Sequence, residues 1–209
     1  MRVISQSAKV LYPRTPEEGI QELKRVEYAG RNCYRSQGKI TPDSFKIFVS
    51  NLLKRKHESP LEFARFSVEL TTSRDVLAEI TRHRLASFAV ESQRYVNESK
   101  EDGGIRFIRP AHYKKGDDPS AIWEASMAVS EMEYNMLIEH GWKNEDARKV
   151  LPNSTACVIC MSANLREWLH IFELRTSDKA YPEIRQLMDL VVEQFNKIYP
   201  DLKYERKEP

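Results

Sequence analysis

Apolar residues recur every three or four positions over much of this chain, which is the spacing that buries one face of an α-helix. One such run predicts a core-facing helix after Thr41-Pro42, with apolar side chains at Phe45, Phe48, Val49, Leu52 and Leu53. Capping residues and N-terminal prolines predict the other helix starts. These starts are Thr15-Pro16 with Glu18 (to about Ala29), Thr72 with Asp75, Asp118-Pro119 (carrying Ile122, Trp123, Val129, Met132 and Met136, to near Gly141), Asn144 (to Leu151), Asn164 (to about Arg175) and Pro182 (to about Ile198).

Strand patterns are fewer. Phe66, Val68 and Leu70 alternate with polar residues, which predicts a half-buried strand. Weaker patterns predict strands over 3–11 and 105–108, a loop over 87–95, and a turn or mobile loop over 98–104. No repeat, linker or low-complexity segment divides the chain. The sequence therefore predicts an α+β fold: a single domain over residues 1–209, with a small central sheet flanked by helices.

Composition narrows the functional class. The 209 residues include 33 basic and 31 acidic side chains, and this near balance disfavours a dedicated nucleic-acid binder, which usually shows a basic excess. No apolar run approaches the roughly 18 residues that cross a bilayer, and the first residues lack the apolar core of a signal peptide. Three cysteines without a secretory signal favour a reducing compartment. We expect a cytoplasmic protein that binds neither nucleic acid nor membrane.

The densest chemistry lies between residues 82 and 95. Arg82-His83-Arg84 is followed after seven residues by Ser92, and then by Arg94-Tyr95. Arginine presents a planar set of donors that matches phosphate oxygens and uracil-type carbonyls. A basic run is more often solvated surface, so composition alone does not make this a site. The capping pattern places Arg82 near the C-terminal end of a helix, where the helix dipole favours cations.

The spacing Arg-His-Arg, seven residues, Ser, then Arg-Tyr resembles the signature of flavin-dependent thymidylate synthases. Further segments resemble motifs of that family in the same order, from about Glu27 to Arg185. They are Ala29-Gly30-Arg31-Asn32-Cys33-Tyr34, His57-Glu58-Ser59-Pro60-Leu61-Glu62-Phe63, Ala147-Arg148-Lys149-Val150-Leu151-Pro152, Asn164-Leu165-Arg166 with Arg175, and Ala180-Tyr181-Pro182-Glu183-Ile184-Arg185. Each is weak alone, and together they make the resemblance specific.

The resemblance implies reductive methylation of dUMP to dTMP. Methylenetetrahydrofolate would supply the carbon, and NAD(P)H the electrons through bound FAD. In a reaction of this kind the cofactor performs the redox chemistry, while the protein binds, orients and stabilises charge. The resemblance also implies a homotetramer with sites built from several subunits, and no metal.

Positions matching the family's motifs give the expected contacts. Arg175 is expected to be catalytic, binding uracil and helping to ionise N3, because a guanidinium stays cationic at any relevant pH. The residues expected at FAD are Cys33, His57, Ser59, Arg82, His83, Arg84, Val90, Asn164, Leu165, Arg166 and His170. The residues expected at dUMP are Glu79, Ile80, Thr81, Arg82, Val90, Glu91, Ser92, Gln93, Arg94, Arg148 and Arg175.

Several positions depart from common family patterns, and others have a plain structural interpretation. Glu79 is often glutamine, Lys179 is often histidine, and asparagine also occurs at the position of His170. Ala89 and Val90 stand where some members have polar residues. Cys157-Val158-Ile159-Cys160 has zinc-like spacing, yet no second pair accompanies it, which favours core packing.

Two other functions remain open from the residues alone. A nucleic-acid-binding module could place Arg82, Arg84 and Arg94 on phosphates, and would show a steep salt dependence and no chromophore. A non-catalytic nucleotide-binding relative would explain the apolar Ala89 and Val90. The retained arginines weigh against the second alternative, and the near-zero net charge against the first.

Overall fold

The computed structural model describes residues 1–100 and 103–206. The predicted loop over 98–104 therefore lies partly outside the described residues. The helices are α1 (Pro16–Asn32), α2 (Ser44–Lys54), α3 (Arg74–Ile80), α4 (Asp118–Glu139), α5 (Asn144–Ala147), α6 (Leu165–Arg175) and α7 (Pro182–Ile198). The strands are β1 (Arg2–Ile4), β2 (Ser7–Tyr12), β3 (Arg65–Ser73), β4 (Ser87–Val90), β5 (Arg106–Ile108) and β6 (Ala156–Asn164), and short 3-10 turns include Ser59–Phe63 and Arg148–Val150.

Two small sheets organise the strands. Four strands form a sheet in the order β2-β3-β6-β4, and β1 pairs in parallel with β5 in a separate two-stranded sheet, with Val3 opposite Phe107. Helices make up most of the remaining described chain, so the α+β prediction is confirmed. No helix among the described residues is long and apolar enough to cross a membrane.

The chain divides into two compact units. The first unit comprises Met1–Ser7, Leu70–Arg82 and Ala89–Ile159, and the second comprises Ala8–Glu69, His83–Phe88 and Cys160–Pro209. The division falls inside strands β3, β4 and β6 rather than in a connecting loop. A single domain over residues 1–209 stays a prediction.

An aromatic cluster forms the core of the second unit. Phe66 from β3 meets Trp168 of α6 at a centroid distance of 5.5 Å and Phe195 of α7 at 5.3 Å, both edge to face. The Trp168 indole donates to the Phe66 carbonyl over 2.7 Å, which satisfies its one polar atom inside the core. Gly19 lets α1 approach the end of α7 closely, since a Cβ there would overlap the backbone of Ile198. This packing fixes α6, which carries several predicted site residues.

The first unit has its own smaller core around α4 and β5. Phe107, Met127 and Tyr134 are buried there, and the Tyr134 hydroxyl accepts from the backbone of Glu98 over 3.2 Å. The opposite face of α4 is apolar but exposed: Ile122, Val129, Met132 and Met136 are 48–69% exposed. Single exposed apolar residues are ordinary, but four on one helix face form a patch.

Two helix starts follow the predicted capping closely. The Thr15 hydroxyl accepts from the Glu18 amide over 3.3 Å, while the Glu18 carboxylate accepts from Arg14 rather than from Thr15 itself. The Asn164 side chain accepts from the Glu167 amide over 2.8 Å and starts α6 at the predicted residue. Helix α1 continues to Asn32, three residues beyond the predicted end.

Three predicted caps are wrong. Asn144 is the first residue of α5 rather than its cap. Helix α2 begins at Ser44, because the Ser44 hydroxyl accepts from the Thr41 amide and donates back to its carbonyl, tying a turn before the helix. Thr72 is still part of β3, where it is buried with its hydroxyl bonded to Gln6, so α3 begins only at Arg74. A threonine with an acidic residue three positions later occurs here at the end of a strand, so this pattern alone does not identify a helix cap.

Two predictions about strands also needed correction. The expected strand over 3–11 is two strands, β1 and β2, which pair in different sheets. The expected loop over 87–95 begins with strand β4, since residues 87–90 pair with β6. Both misses involve pairing with residues far away in the chain, which a local pattern does not reveal.

Candidate active site

The Arg-His-Arg run follows helix α3, and its three side chains differ in how far they are exposed to solvent. Arg82 and Arg84 are exposed, whereas His83 between them is only 6% exposed. The helix ends at Ile80, with Thr81 as its C-cap residue, so the run leaves the helix as predicted. The two guanidinium groups face outward, while the imidazole points inward and contacts other side chains.

The His83 ring lies against one face of α6 in the second unit. Its Nε2 accepts a hydrogen bond from Arg175 Nε over 3.0 Å. Its Nδ1 lies 3.6 Å from a carboxylate oxygen of Glu167, and its ring meets that of His170 edge to face at 6.4 Å. Three predicted site residues, His83, His170 and Arg175, are therefore brought together.

An open cavity of about 600 Å³ lies beside the first turns of α6. Its wall includes Asn164, Arg166 and His170, all predicted to contact FAD. The Arg166 guanidinium lies 2.6 Å from a carboxylate oxygen of Glu62 and 3.8 Å from one of Glu58. This side chain is half exposed and held at the cavity wall.

A second cavity, of about 360 Å³, shares part of this wall. Glu58 and Arg166 border both cavities. The second one is also lined by Cys33, His57 and Ser59, the remaining side chains predicted near the flavin from the early part of the chain. The structure thus places residues from α1, the 3-10 turn at Ser59–Phe63 and α6 around two adjoining openings of the second unit.

The charge of the larger cavity is unusual for a site expected to hold an anion. Its lining contains the carboxylates of Glu58, Glu62, Glu167 and Glu173, but only one arginine, Arg166. Burial raises the pKa of the Glu167 carboxyl, and the charge of His170 opposes that rise.

A second group of predicted residues lies in the first unit. Arg94 Nε donates to the Glu145 carboxylate over 2.8 Å, and Arg148 Nε donates to the Glu145 backbone carbonyl over 3.2 Å. The Ser92 hydroxyl accepts from the Arg94 amide over 3.3 Å. Glu145 thereby contacts both predicted dUMP-binding arginines on an exposed surface, Arg94 through its carboxylate and Arg148 through its backbone carbonyl.

Other residues predicted at dUMP are engaged within the protein. The Glu91 carboxylate accepts from the Val158 amide over 3.0 Å and pairs with Arg106 over 3.2 Å. The Ile80 side chain is buried, and the Thr81 hydroxyl donates to the Leu77 carbonyl over 3.0 Å. Contacts of Ile80 with a nucleotide would therefore use its backbone. Glu79 lies in the last turn of α3, and Val90 and Gln93 are half-buried near the end of β4.

The three cysteines lie in different surroundings. Cys157 is buried, and burial raises the pKa of its thiol to about 11. Cys160 is half-buried and Cys33 exposed. Among the described residues, no group of histidine, cysteine and acidic side chains is arranged to hold a metal ion. The Cys157-x-x-Cys160 spacing belongs to strand β6.

Two functional candidates, Glu145 and Glu167, were missed from the sequence, and a third, Glu62, was noted there only as part of a family-like motif. Each is a carboxylate that orients an arginine or histidine of the predicted set. Glu167 follows Arg166 directly and sits three residues after the capping Asn164, so a capping-box pattern was available to find it. Nothing in the sequence links Glu145 to Arg94, 51 residues away.

Comparison with known proteins identifies relatives over nearly the whole chain. The family described as thymidylate synthase complementing protein matches residues 4–201. The flavin-dependent thymidylate synthase of Pyrococcus abyssi is 32% identical over 96% of this chain and 84% of its own length. That of Pyrococcus horikoshii is 36% identical over 89% of this chain and 77% of its own length.

Solved structures show the same fold at lower identity. The flavin-dependent thymidylate synthase ThyX of Helicobacter pylori, complexed with FAD and dUMP, superposes with a TM-score of 0.75 at 21% identity, covering 98% of this chain and all of that one. A UMP/dUMP methylase, PolB, from Streptomyces cacaoi gives a TM-score of 0.79 at 22% identity, covering 97% and 95%. The arrangement of helices and small sheets is thus shared with both proteins.

Proposed function

Since this chain belongs to the flavin-dependent thymidylate synthase family, we propose that it methylates dUMP reductively to dTMP using bound FAD. The gathering of His83, His170 and Arg175 beside a cavity walled by other predicted flavin residues is the observation that carries the proposal. We further propose that the enzyme acts in the cytoplasm.

FAD is proposed to bind along the two adjoining cavities of the second unit. Ser59 and Asn164 offer hydrogen-bonding groups, Arg166 a cation and His170 a ring. These fit the polar and aromatic parts of the cofactor, which would supply the hydride chemistry. The carboxylates on the same wall oppose a pyrophosphate. That charge is proposed to be met by the outward-facing Arg82 and Arg84, together with main-chain atoms of His83 and Leu165 and a packing contact from Val90.

Two separate sets of residues, one in each unit, are proposed to bind the phosphate and the uracil of dUMP in the assembled oligomer. Arg94 and Arg148, oriented by Glu145, would hold the phosphate together with Ser92. Arg175 would face the uracil and stabilise the negative charge that develops when N3 is ionised, since a preorganised donor is worth most where charge appears. Glu79 to Arg82 and Val90 to Gln93 would supply the remaining contacts.

Methylenetetrahydrofolate and NAD(P)H are proposed as co-substrates. The folate would transfer a methylene carbon to C5 of uracil, and a hydride originating from NAD(P)H would complete the methyl group as the C5 proton leaves. None of these steps needs an enzyme thiolate, which agrees with the buried Cys157. The protein itself would bind and orient the reactants and exclude water from them.

The active form is proposed to be a homotetramer. Two features support shared sites: the excess of carboxylates in the larger cavity, which leaves part of the FAD charge to be met from elsewhere, and the exposed apolar face of α4, which a second copy would cover. Neither nucleic acid nor membrane is proposed as a partner.

The decisive experiment is a titration of the purified chain with FAD, followed by a dTMP assay. We expect quenching of flavin fluorescence on binding and dTMP formation that requires FAD, the folate and NAD(P)H together. A folded sample that leaves saturating FAD unbound would refute the proposal. Binding of dUMP without turnover would instead favour the non-catalytic nucleotide-binding relative, and salt-dependent capture of an oligonucleotide the nucleic-acid-binding module.

A further inference from the structure

Glu167 is a buried carboxylate to which the reaction proposed above gives no role. It is only 7% exposed and lies on the same face of α6 as Arg175, eight residues further along the helix. The His83 ring lies between the two side chains, with Nδ1 toward Glu167 and Nε2 toward Arg175. Burying a carboxylate is costly, so a close polar partner is expected.

The hydrogen bond between Arg175 and His83 can form only with one tautomer of a neutral imidazole. Arginine Nε is only a donor, so His83 Nε2 must be the acceptor and carry no proton. In the neutral ring the proton is then on Nδ1, on the side that faces the Glu167 carboxylate at 3.6 Å. That distance exceeds a direct hydrogen bond, but a negative charge there still favours the Nδ1-protonated tautomer.

We propose that Glu167 and His83 act as a positioning pair for Arg175: the carboxylate selects the imidazole tautomer, and the imidazole fixes the plane of the guanidinium. The inference rests on the proposed function, because it concerns the arginine that would face uracil. A hydrogen bond at Nε fixes the orientation of the guanidinium plane, and with it the direction of the two terminal amino groups. Donors that are already oriented need little reorganisation free energy during a reaction. Glu167 is a positioning residue, since it acts through His83.

A simpler role for Glu167 must be separated from this one. Glu167 is the third residue of α6, where the positive end of the helix dipole stabilises an acidic side chain. A glutamate or a glutamine is equally typical of this capping position. The replacement Glu167→Gln therefore keeps the size and the capping preference but removes the charge that would select the tautomer.

The experiment compares Glu167→Gln with the wild-type chain and with Glu193→Gln, an exposed change on α7 that loses only a pair with Lys197. We expect Glu167→Gln to keep its melting temperature and to bind FAD at least as tightly as the wild type, because it removes one negative charge from the cavity wall. KM for dUMP should rise or kcat fall by about tenfold, the lower end of the range for residues that orient a metal-binding histidine. Nitrogen NMR of His83 should change from the Nδ1-protonated tautomer toward a mixture. Glu193→Gln should change neither readout.

A double-mutant cycle completes the test. In His83→Gln the side-chain oxygen can accept from Arg175 without choosing a tautomer, so adding Glu167→Gln should cost little more. Additive losses would overturn the proposal, as would a wild-type tautomer in Glu167→Gln or parallel losses of FAD affinity and melting temperature. A wild-type chain that forms no dTMP would refute the proposed function instead, and the tautomer measurement would still stand by itself.

Discussion

At the scale of single residues, Arg175 shows what motif position and geometry each contribute. Its place nine residues after Arg166 marked it as the uracil-binding arginine by resemblance. Its bond to the buried His83 came only from the structure. Chain order can nominate a functional arginine by resemblance, but the residues that contact it come from other parts of the fold. For the same reason the internal partners of Glu91 were not foreseen.

Arg175→Ala is expected to keep FAD binding and the fold but to lose dUMP methylation. Removing one preorganised donor typically costs on the order of 10²–10³ in rate. Arg175→Lys should recover little, because an ammonium lacks the planar donor set and the Nε that bonds to His83. The measurements are dTMP formation, dUMP titration and the flavin spectrum of both variants. Turnover of Arg175→Ala near that of the wild type would show that the uracil contact is assigned wrongly.

Cysteine chemistry is expected to be dispensable for turnover. A pKa of about 11 keeps the Cys157 thiol protonated, so iodoacetamide at about pH 8 should label the exposed Cys33 first and leave Cys157 unlabelled until the chain unfolds. Mass spectrometry of labelled peptides, with a urea-treated control, measures this order. A folded, FAD-loaded chain with all three cysteines changed to serine should still form dTMP, and complete loss of turnover would contradict the thiol-free route.

At the scale of elements, the helices were predicted better than the strands. The starts of α1, α6 and α7 are encoded within four residues, by a capping side chain or an N-terminal proline, and these predictions are confirmed. Strands β1 and β4 depend on partners more than 60 residues away, β5 and β6. A short strand is stabilised by that pairing rather than by its own residues, so the local sequence could not specify it.

The contact between α1 and α7 should be sensitive to one methyl group. In Gly19→Ala the new Cβ would overlap the Ile198 carbonyl, and a backbone atom cannot move aside as a flexible side chain can. We expect a loss of roughly 1–3 kcal/mol in the free energy of unfolding, as for other overpacked sites. Gly38→Ala is the matched control, since a Cβ there has no heavy atom within 4 Å. Urea unfolding of both variants measures the difference, and equal midpoints would contradict the overlap.

At the scale of the whole molecule, the α+β fold class predicted from the sequence is confirmed by the described structure. The sequence did not foresee which apolar surfaces stay uncovered. The helical spacing of Ile122, Val129, Met132 and Met136 is the same whether that face of α4 packs inside the chain or against another chain. The periodicity of apolar residues predicts that one face of a helix is apolar. Only the tertiary structure shows what covers that face.

The assembly is expected to be a homotetramer. Light scattering of an active, FAD-loaded sample should give about four times the 24.4 kDa mass of one chain. Met132→Glu would place a charge in the apolar face of α4 and should shift the sample toward smaller species, because an unpaired buried charge is costly. Lys197→Glu, on the exposed side of α7, serves as the control. An active sample at the mass of a monomer would exclude shared sites.

Stability is expected to depend on pH through Glu98. Burial, and next the neighbouring charge of Glu91, raise the pKa of the Glu98 carboxyl in the folded chain. The folded state then binds the proton more tightly than the unfolded state, so stability falls as pH rises from the ordinary carboxyl pKa through the raised one. Glu98→Gln should therefore be more stable than the wild type at about pH 7.5, with the difference shrinking toward about pH 5. Urea midpoints at both values test this, and a difference independent of pH would contradict it.

The order of the four-stranded sheet has a consequence for handling the protein in solution. Strands β2 and β4 lie at its ends, and an open strand edge is a template on which another polypeptide can polymerise. Strand β2 exposes Lys9 and is followed at once by Pro13, while β4 is only four residues long. Charge, proline and shortness all discourage such growth. The charge of Lys9 and the shortness of β4 are therefore expected to oppose edge-to-edge association, a property that a turnover assay does not measure.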